Sequence, residues 1–331
     1  MTNRKLIVTA ALFGATFGRA WAQAPQLTAL DIEWQNAVGY IGDIADPTKY
    51  ATSPTPVPFN LNVKDFGAFL AIADIVSVNG KPARGAWILT GRAVATSPSP
   101  TPGSAIADIG RGAMTNIHFE IRQTDGTTPV GTIMTSGFTG GLAPPGAASG
   151  FCNLAVTGGT GAFLGATGEV TSPGFGTRAA SMAEDPANRR TNGGTNGHFI
   201  IYLNPLFRPQ VVTTANGPAV VHASDSSLVT TAKPARSGEV LTLFATGLGP
   251  ARPALEPGKV FSANPPQVAN SPIEVNVGGQ AADVLYAGGY PGSADGFQVN
   301  FRVPSGLTPG TASLQVTAAF IPGQSVSIPI Q

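Results

Sequence analysis

The chain is 331 residues long, with 19 basic and 18 acidic side chains; only 11% of its residues are charged and 42% are hydrophobic. So sparse and balanced a charge excludes a nucleic-acid binder, which needs a basic face to neutralise phosphates, and leaves no polybasic patch for an anionic membrane surface. With 42 glycines, 29 prolines and no long helix-period stretch, the composition excludes disorder and points to an all-β chain rich in turns.

Residues 1–22 have the features of an export signal. Asn3-Arg4-Lys5 supplies the positive end, Leu6 to Phe17 the apolar stretch, and Ala20-Trp21-Ala22 a cleavage site before Gln23. The apolar stretch is shorter than the roughly 20 helical residues that span a bilayer. With no Arg-Arg pair, the general secretory route is expected. Cleavage would leave 16 basic and 18 acidic side chains in a protein that is secreted or held at the cell exterior or in the periplasm. No later segment is apolar and long enough for a membrane helix, so no membrane insertion of the mature chain is expected. Cys152 is the only cysteine; it lies in an alternating run and is expected to be a small buried side chain. His118, His198 and His222 share no ligand spacing, so no metal site is expected.

The mature length suggests two domains. Between residues 27 and 204, eight strands are predicted. The first, 30–44, puts Leu30, Ile32, Trp34, Val38 and Tyr40 on one face and Asp31, Glu33 and Gln35 on the other. A Pro-rich loop (46–59) leads to runs 67–78 and 83–96, which flank Asn79-Gly80, a hairpin signal because both residues readily take positive φ. A second Pro-rich loop (97–105) precedes runs 112–123 and 129–141, joined across Asp125-Gly126. Runs 150–158 and 165–174 flank a glycine-rich segment, and run 197–205 comes after a polar loop. Within that loop, residues 183–194 carry the densest charge of the domain; a solvated excursion is the default reading and a recognition loop over a barrel mouth the sharper one. Eight antiparallel strands with mostly local connections predict a closed barrel over 23–205. Beyond a Pro-punctuated linker at 205–210, five alternating runs with turns every eight to twelve residues predict a β-sandwich over 206–331.

Two resemblances refine this. Gly238–Pro250, Val275–Gly292 and Phe297–Gly310 resemble the C-terminal Ig-like module of secreted acidobacterial proteins, which is similar to IPT/TIG domains. That resemblance implies an Ig-like sandwich without catalytic residues, used for attachment, spacing or protein contact. The segment VTGGTGAFLGATGEV (156–170) is similar to the G-G-T-G-x-F-x-x-A-x-G turn of dirigent and allene-oxide-cyclase-like barrels, with Gly158, Gly159, Thr160, Gly161, Phe163, Ala166 and Gly168 matching. It implies an eight-stranded barrel in which this segment joins two late strands. Members of that family steer radical coupling or cyclise an epoxide in an apolar lumen, and often associate as dimers or trimers. Their acidic catalytic residues have no evident counterparts here, so no catalytic residue is assigned.

The same glycines invite a nucleotide-binding reading, which fails. Gly159, Gly161 and Gly165 give G-x-G-x-x-x-G rather than G-x-G-x-x-G, and residues 166–176 hold Gly and Pro and supply no helix N-terminus for a phosphate. No cofactor is expected; Gly158, Gly159, Gly161 and Phe163 are assigned to a structural turn. An eight-stranded barrel is either filled by side chains or open for one small ligand. Glu33, Asp74, Glu120 and Glu169 are acids set among apolar runs, and a buried carboxylate of raised pKa could act as an acid or base. Alternation gives Glu33 and Glu120 the outward position as the commoner outcome. Glu33, Asn36, Trp87 and Glu120 are the candidate lumen residues, with Phe138 a further pocket candidate. The leading expectation is a secreted, non-enzymatic binding or surface-interaction protein, its partner a small apolar ligand in the barrel or a cell-surface protein. The alternative is an isomerase or cyclase acting on a hydrophobic molecule in the lumen.

Overall fold

The computed structural model describes residues 27–42, 68–95, 111–139, 152–172, 177–181, 184–256 and 258–331; the predicted export signal and the two Pro-rich loops lie outside them. The first unit is built from β1 (Thr28–Gly42), β2 (Ala68–Val78), β3 (Lys81–Ala95), β4 (Arg111–Arg122), β5 (Pro129–Thr139), β6 (Cys152–Gly161), β7 (Thr167–Thr171), β8 (Arg178–Ser181) and β9 (Thr195–Asn204). Each of β1 to β6 pairs antiparallel with the next, β7 pairs with β9 and β9 returns to β1. The result is a closed eight-stranded antiparallel barrel, which leaves no exposed edge among its members. The short β8 falls inside the segment expected to be a loop and runs parallel to the second half of β1.

Local chemistry sets the corners at one end. Asn79 and Gly80 turn β2 into β3 with φ of 52° and 71°, the primed turn whose twist suits a hairpin. Asp125 closes the β4–β5 corner by accepting from the backbone N–H groups of Thr127 and Thr128 at 2.8 Å each. The Thr128 hydroxyl and these N–H groups hold its carboxyl well below the usual carboxylate range.

One feature of β1 departs from simple alternation. Asn36 takes a φ of 60°, and the register against β2 jumps from Gln35↔Asp74 to Val38↔Ile72. The bulge reverses the faces beyond it. Ala37 joins the barrel core, while Val38 and Tyr40 pack outside it with Leu70 and Ala180. The expectation that Val38 and Tyr40 share the face of Trp34 is thereby corrected.

The second unit is a curled, essentially antiparallel sheet around its own core. Its main strands are β10 (Val240–Thr246), β11 (Ile273–Val277), β12 (Gln280–Gly289), β13 (Phe297–Arg302), β14 (Gly310–Ala318), β15 (Ile321–Pro322) and β16 (Val326–Ile330). They pair in the order β10–β13–β12–β11–β14–β15, with β16 also on β14. Leu241, Leu243, Val299, Phe301, Leu314 and Val316 are among its fully or almost fully buried side chains.

The two units meet at the barrel end that carries the tight corners. The β14–β15 turn places Ala319 and Phe320 at φ of 50° and 66°, a conformation that costs an ordinary L-residue about 1–2 kcal/mol. Ala319, Phe320 and Ile321 nevertheless belong to the barrel core cluster, and burial of that aromatic side chain offsets the strain. Around this plug, Gln123 Nε2 donates to Asn270 O at 2.5 Å, Arg252 donates to Thr128 Oγ1, and Lys81 pairs with Glu274.

Candidate functional site

Among the described residues, the barrel interior is a packed core. Trp34, Trp87, Phe119 and Phe199 are buried to within 1% of full coverage. Their rings meet edge to face: Trp34–Trp87 at 5.4 Å, Trp87–Phe199 at 5.5 Å and Phe119–Phe199 at 5.3 Å between centroids. Such pairs add about 0.5–1.5 kcal/mol each beyond the area they bury. Ile32, Ile75, Ile117, Ile121, Ile133 and Ile201 pack in the same cluster.

Of the four candidate lumen residues, only Trp87 points inward, and it does so as part of this core. Glu33 is exposed between buried Ile32 and Trp34, where its Oε2 accepts from Ser77 Oγ at 2.5 Å. Glu120 lies on the outer face between inward Phe119 and Ile121, and its Oε1 accepts from Arg122 Nη2 at 2.6 Å and Nε at 3.0 Å. Asn36 is turned out by the bulge that it makes, and its Nδ2 donates to Asp74 Oδ2 at 2.9 Å. Lumen positions are corrected to outer-wall positions for these three. The side chains of Phe138 and Cys152 lie outside the described residues.

What the polar residues Asn36 and Glu120 share is a cleft of about 370 Å³ on the outer wall. Its construction comes from register. Gln35, Asp74, Ala86, Glu120 and Thr132 pair successively across β1 to β5 and so share one outward row. Ala86 is the small member of that row, so the wall dips between the two carboxylates, which stand two strand spacings or roughly 10 Å apart. Beside it, Gly85 lets β3 close on β4: a Cβ there would lie 1.9 Å from Glu120 O. Arg84 and Arg122, cross-strand partners on β3 and β4, flank one side of the dip, and Arg190 the other.

Asp74 is the hub. Besides Asn36 it accepts from Arg190 Nε at 2.9 Å and Nη2 at 2.6 Å, and it pairs with Arg189. Both arginines come from the charged loop between β8 and β9, where Asp185 caps a 3₁₀ turn over Pro186–Arg189. A second clamp holds the start of this loop: Arg178 Nη1 and Nη2 grip Glu184 at 2.8 and 2.5 Å. Hydrogen bonding from Arg178 holds the Glu184 carboxyl below its usual range. Burial, then the neighbouring Glu184 carboxylate, push the Tyr40 phenol above its usual range. The loop is thus fastened to the barrel flank. Asp74 and the loop were visible in the sequence, but their partnership was not, because it joins positions 115 and 116 residues apart.

The glycine-rich segment is the β6–β7 corner. Gly161 has a φ of 62° and, like Gly159, no room for a Cβ, which would fall 2.6 Å from Val130 O and 2.4 Å from Phe163 O respectively. Gly158 sits within β6, opposite Met134. Phe163 is fully buried in the barrel core. The corner leads into no phosphate-binding helix; Ala166 passes directly into β7. Among the described residues, no group of three or more His, Cys, Asp or Glu side chains gathers at one point. Comparison of the chain with protein-family models, curated proteins and solved structures gives no match.

Proposed function

We propose that the protein is an exported, non-enzymatic binding or surface-interaction protein that recognises its partner from the outer wall of a solid barrel. The observation that carries this reading is the packing of the lumen among the described residues: four large aromatic side chains occupy space there that a cyclase or isomerase of apolar substrates would keep open. The wall chemistry supports it further. One outward row carries Gln35, Asp74 and Glu120, polar side chains that a partner can reach from solvent, beside a second outward row of Ile72, Ile88 and Met134. In this reading the barrel is dirigent-like in shape but lacks that family's lumen chemistry, and the second unit is an Ig-like module that holds the barrel away from a surface or against a partner.

The test is a thermal-shift survey of the two-unit chain against apolar metabolites. A ligand at 100 times its Kd adds about 2.7 kcal/mol of stability, which amounts to several degrees of Tm for a chain of this size. No saturable shift is expected. A saturable shift by an apolar small molecule would overturn the reading in favour of an enzyme of the isomerase or cyclase type.

A further inference from the structure

The outer-wall cleft gathers more positive than negative charge. Arg84, Arg122 and Arg190 line it with Asp74 and Glu120, and Arg189 reaches the same Asp74 carboxylate. Four guanidinium groups therefore meet two carboxylates, in a chain whose charges otherwise almost cancel. Arg84 and Arg122 stand directly opposite each other across β3 and β4, an arrangement that costs stability unless negative charge comes to it. Glu120 answers Arg122, whose remaining Nη1 donates to Gly126 O at 3.1 Å. Among the described residues, no acidic group answers Arg84. Arg190 uses Nε and Nη2 on Asp74 yet keeps 56% of its side chain exposed, with Nη1 unengaged among the described residues. The floor is Gly85 and Ala86, and the amides of Gln35 and Asn36 stand on the rim. At about 370 Å³ the cleft is within the roughly 300–1,000 Å³ of small-molecule sites.

We infer that this cleft binds the oxyanion group, carboxylate or sulfate, of a polar ligand such as an acidic sugar. Arg84 is the principal contact, with Arg122 and Arg190 flanking it. A guanidinium offers a planar fork that matches a carboxylate or sulfate edge, and the amides on the rim can both donate to and accept from hydroxyl groups. The Asp74 hub, which binds two arginines and Asn36 at once, fixes Arg190 in place before any ligand arrives. This assignment rests on the reading that recognition lies on the outer wall.

Calorimetric titration of the two-unit chain with galacturonate, glucose 6-sulfate, inorganic phosphate and neutral galactose tests it. At least one of the two anionic sugars should bind saturably, more weakly as salt rises, and more tightly than galactose or phosphate. Arg84→Gln removes no hydrogen bond or ion pair among the described residues, so it should leave folding intact and weaken binding about tenfold. Arg92→Gln, the same charge change further along β3, should leave binding unchanged. The inference is overturned if neither anionic sugar binds, if the two variants lose affinity equally, or if free phosphate binds as tightly as the sugars. An apolar lumen ligand would instead strike at the outer-wall reading itself, so the two failures are distinguishable.

Discussion

Ala86 and Trp87 are successive residues of β3, yet one floors a charged cleft and the other lies in the middle of an aromatic core. The same contrast repeats along β4, where Glu120 faces Arg122 on the outside and Phe119 meets Phe199 within. The inner face is mostly apolar, with Thr115 and Thr135 among its buried polar members; the outer face is where side chains of different sign, size and hydrogen-bonding capacity are brought together. In this barrel the strand pleat divides labour: inward residues hold the wall rigid, and the rigid wall holds outward residues in register. Chemistry on the wall then depends on the core without touching it.

Substitutions can break that division. The largest loss is expected for Trp87→Ala, about 3–5 kcal/mol in urea denaturation, because a buried indole leaves both lost burial and a cavity. Phe320→Ala should cost about 3 kcal/mol by the same physics, although Phe320 lies in the second unit. It should also separate a single thermal transition into two, since this plug ties one unit to the other. Acid should act on the wall and spare the core. The folded-state pKa of Glu184 is depressed chiefly by its hydrogen bonds from Arg178. The clamp therefore contributes fully above the unfolded carboxylate pKa of about 4.3 and is lost as pH falls through the lower folded value. Amide exchange in residues 184–194 should rise there, and Glu184→Gln should give the faster exchange already at neutral pH. Glu120→Gln is the smallest change, less than about 1 kcal/mol, as expected of an exposed ion pair. A Glu120→Gln loss comparable to that of Trp87→Ala would contradict the division between wall and core.

Much of the barrel was legible because period-2 alternation survives wherever one face is buried. All eight barrel strands, the Asn79-Gly80 hairpin and the corner around Phe163 come from residues that are neighbours in the chain. Four features were not legible, the first for a reason of local conformation and the others for reasons of range. Asn36 breaks the alternation by taking a left-handed conformation that many asparagines never use, so Val38 and Tyr40 exchange faces with Ala37. Asp74 looked like one acid in an apolar run, and only the fold brings Arg189 and Arg190 to it. The turn at Ala319-Phe320 contains no glycine, so nothing local marked it as a turn, and the strength of its strained conformation comes from the barrel that it enters. The cleft was missed for a related reason: it is made by a small residue between two carboxylates on neighbouring strands, and smallness is informative only once register is known.

The central claim is that binding belongs to the wall and the lumen is closed to ligands. Beyond the predicted export signal the chain has two tryptophans, Trp34 and Trp87, and both indoles lie in the lumen. A ¹H–¹⁵N spectrum of the chain beginning at Gln23 therefore carries two indole N–H signals that report on the interior alone. Titration with an anionic sugar should move the backbone amides of Gly85, Ala86 and Arg190 and leave both indole signals in place, and an apolar metabolite should move none of them. Saturable movement of either indole signal by an apolar ligand, with the cleft amides still, would contradict the account.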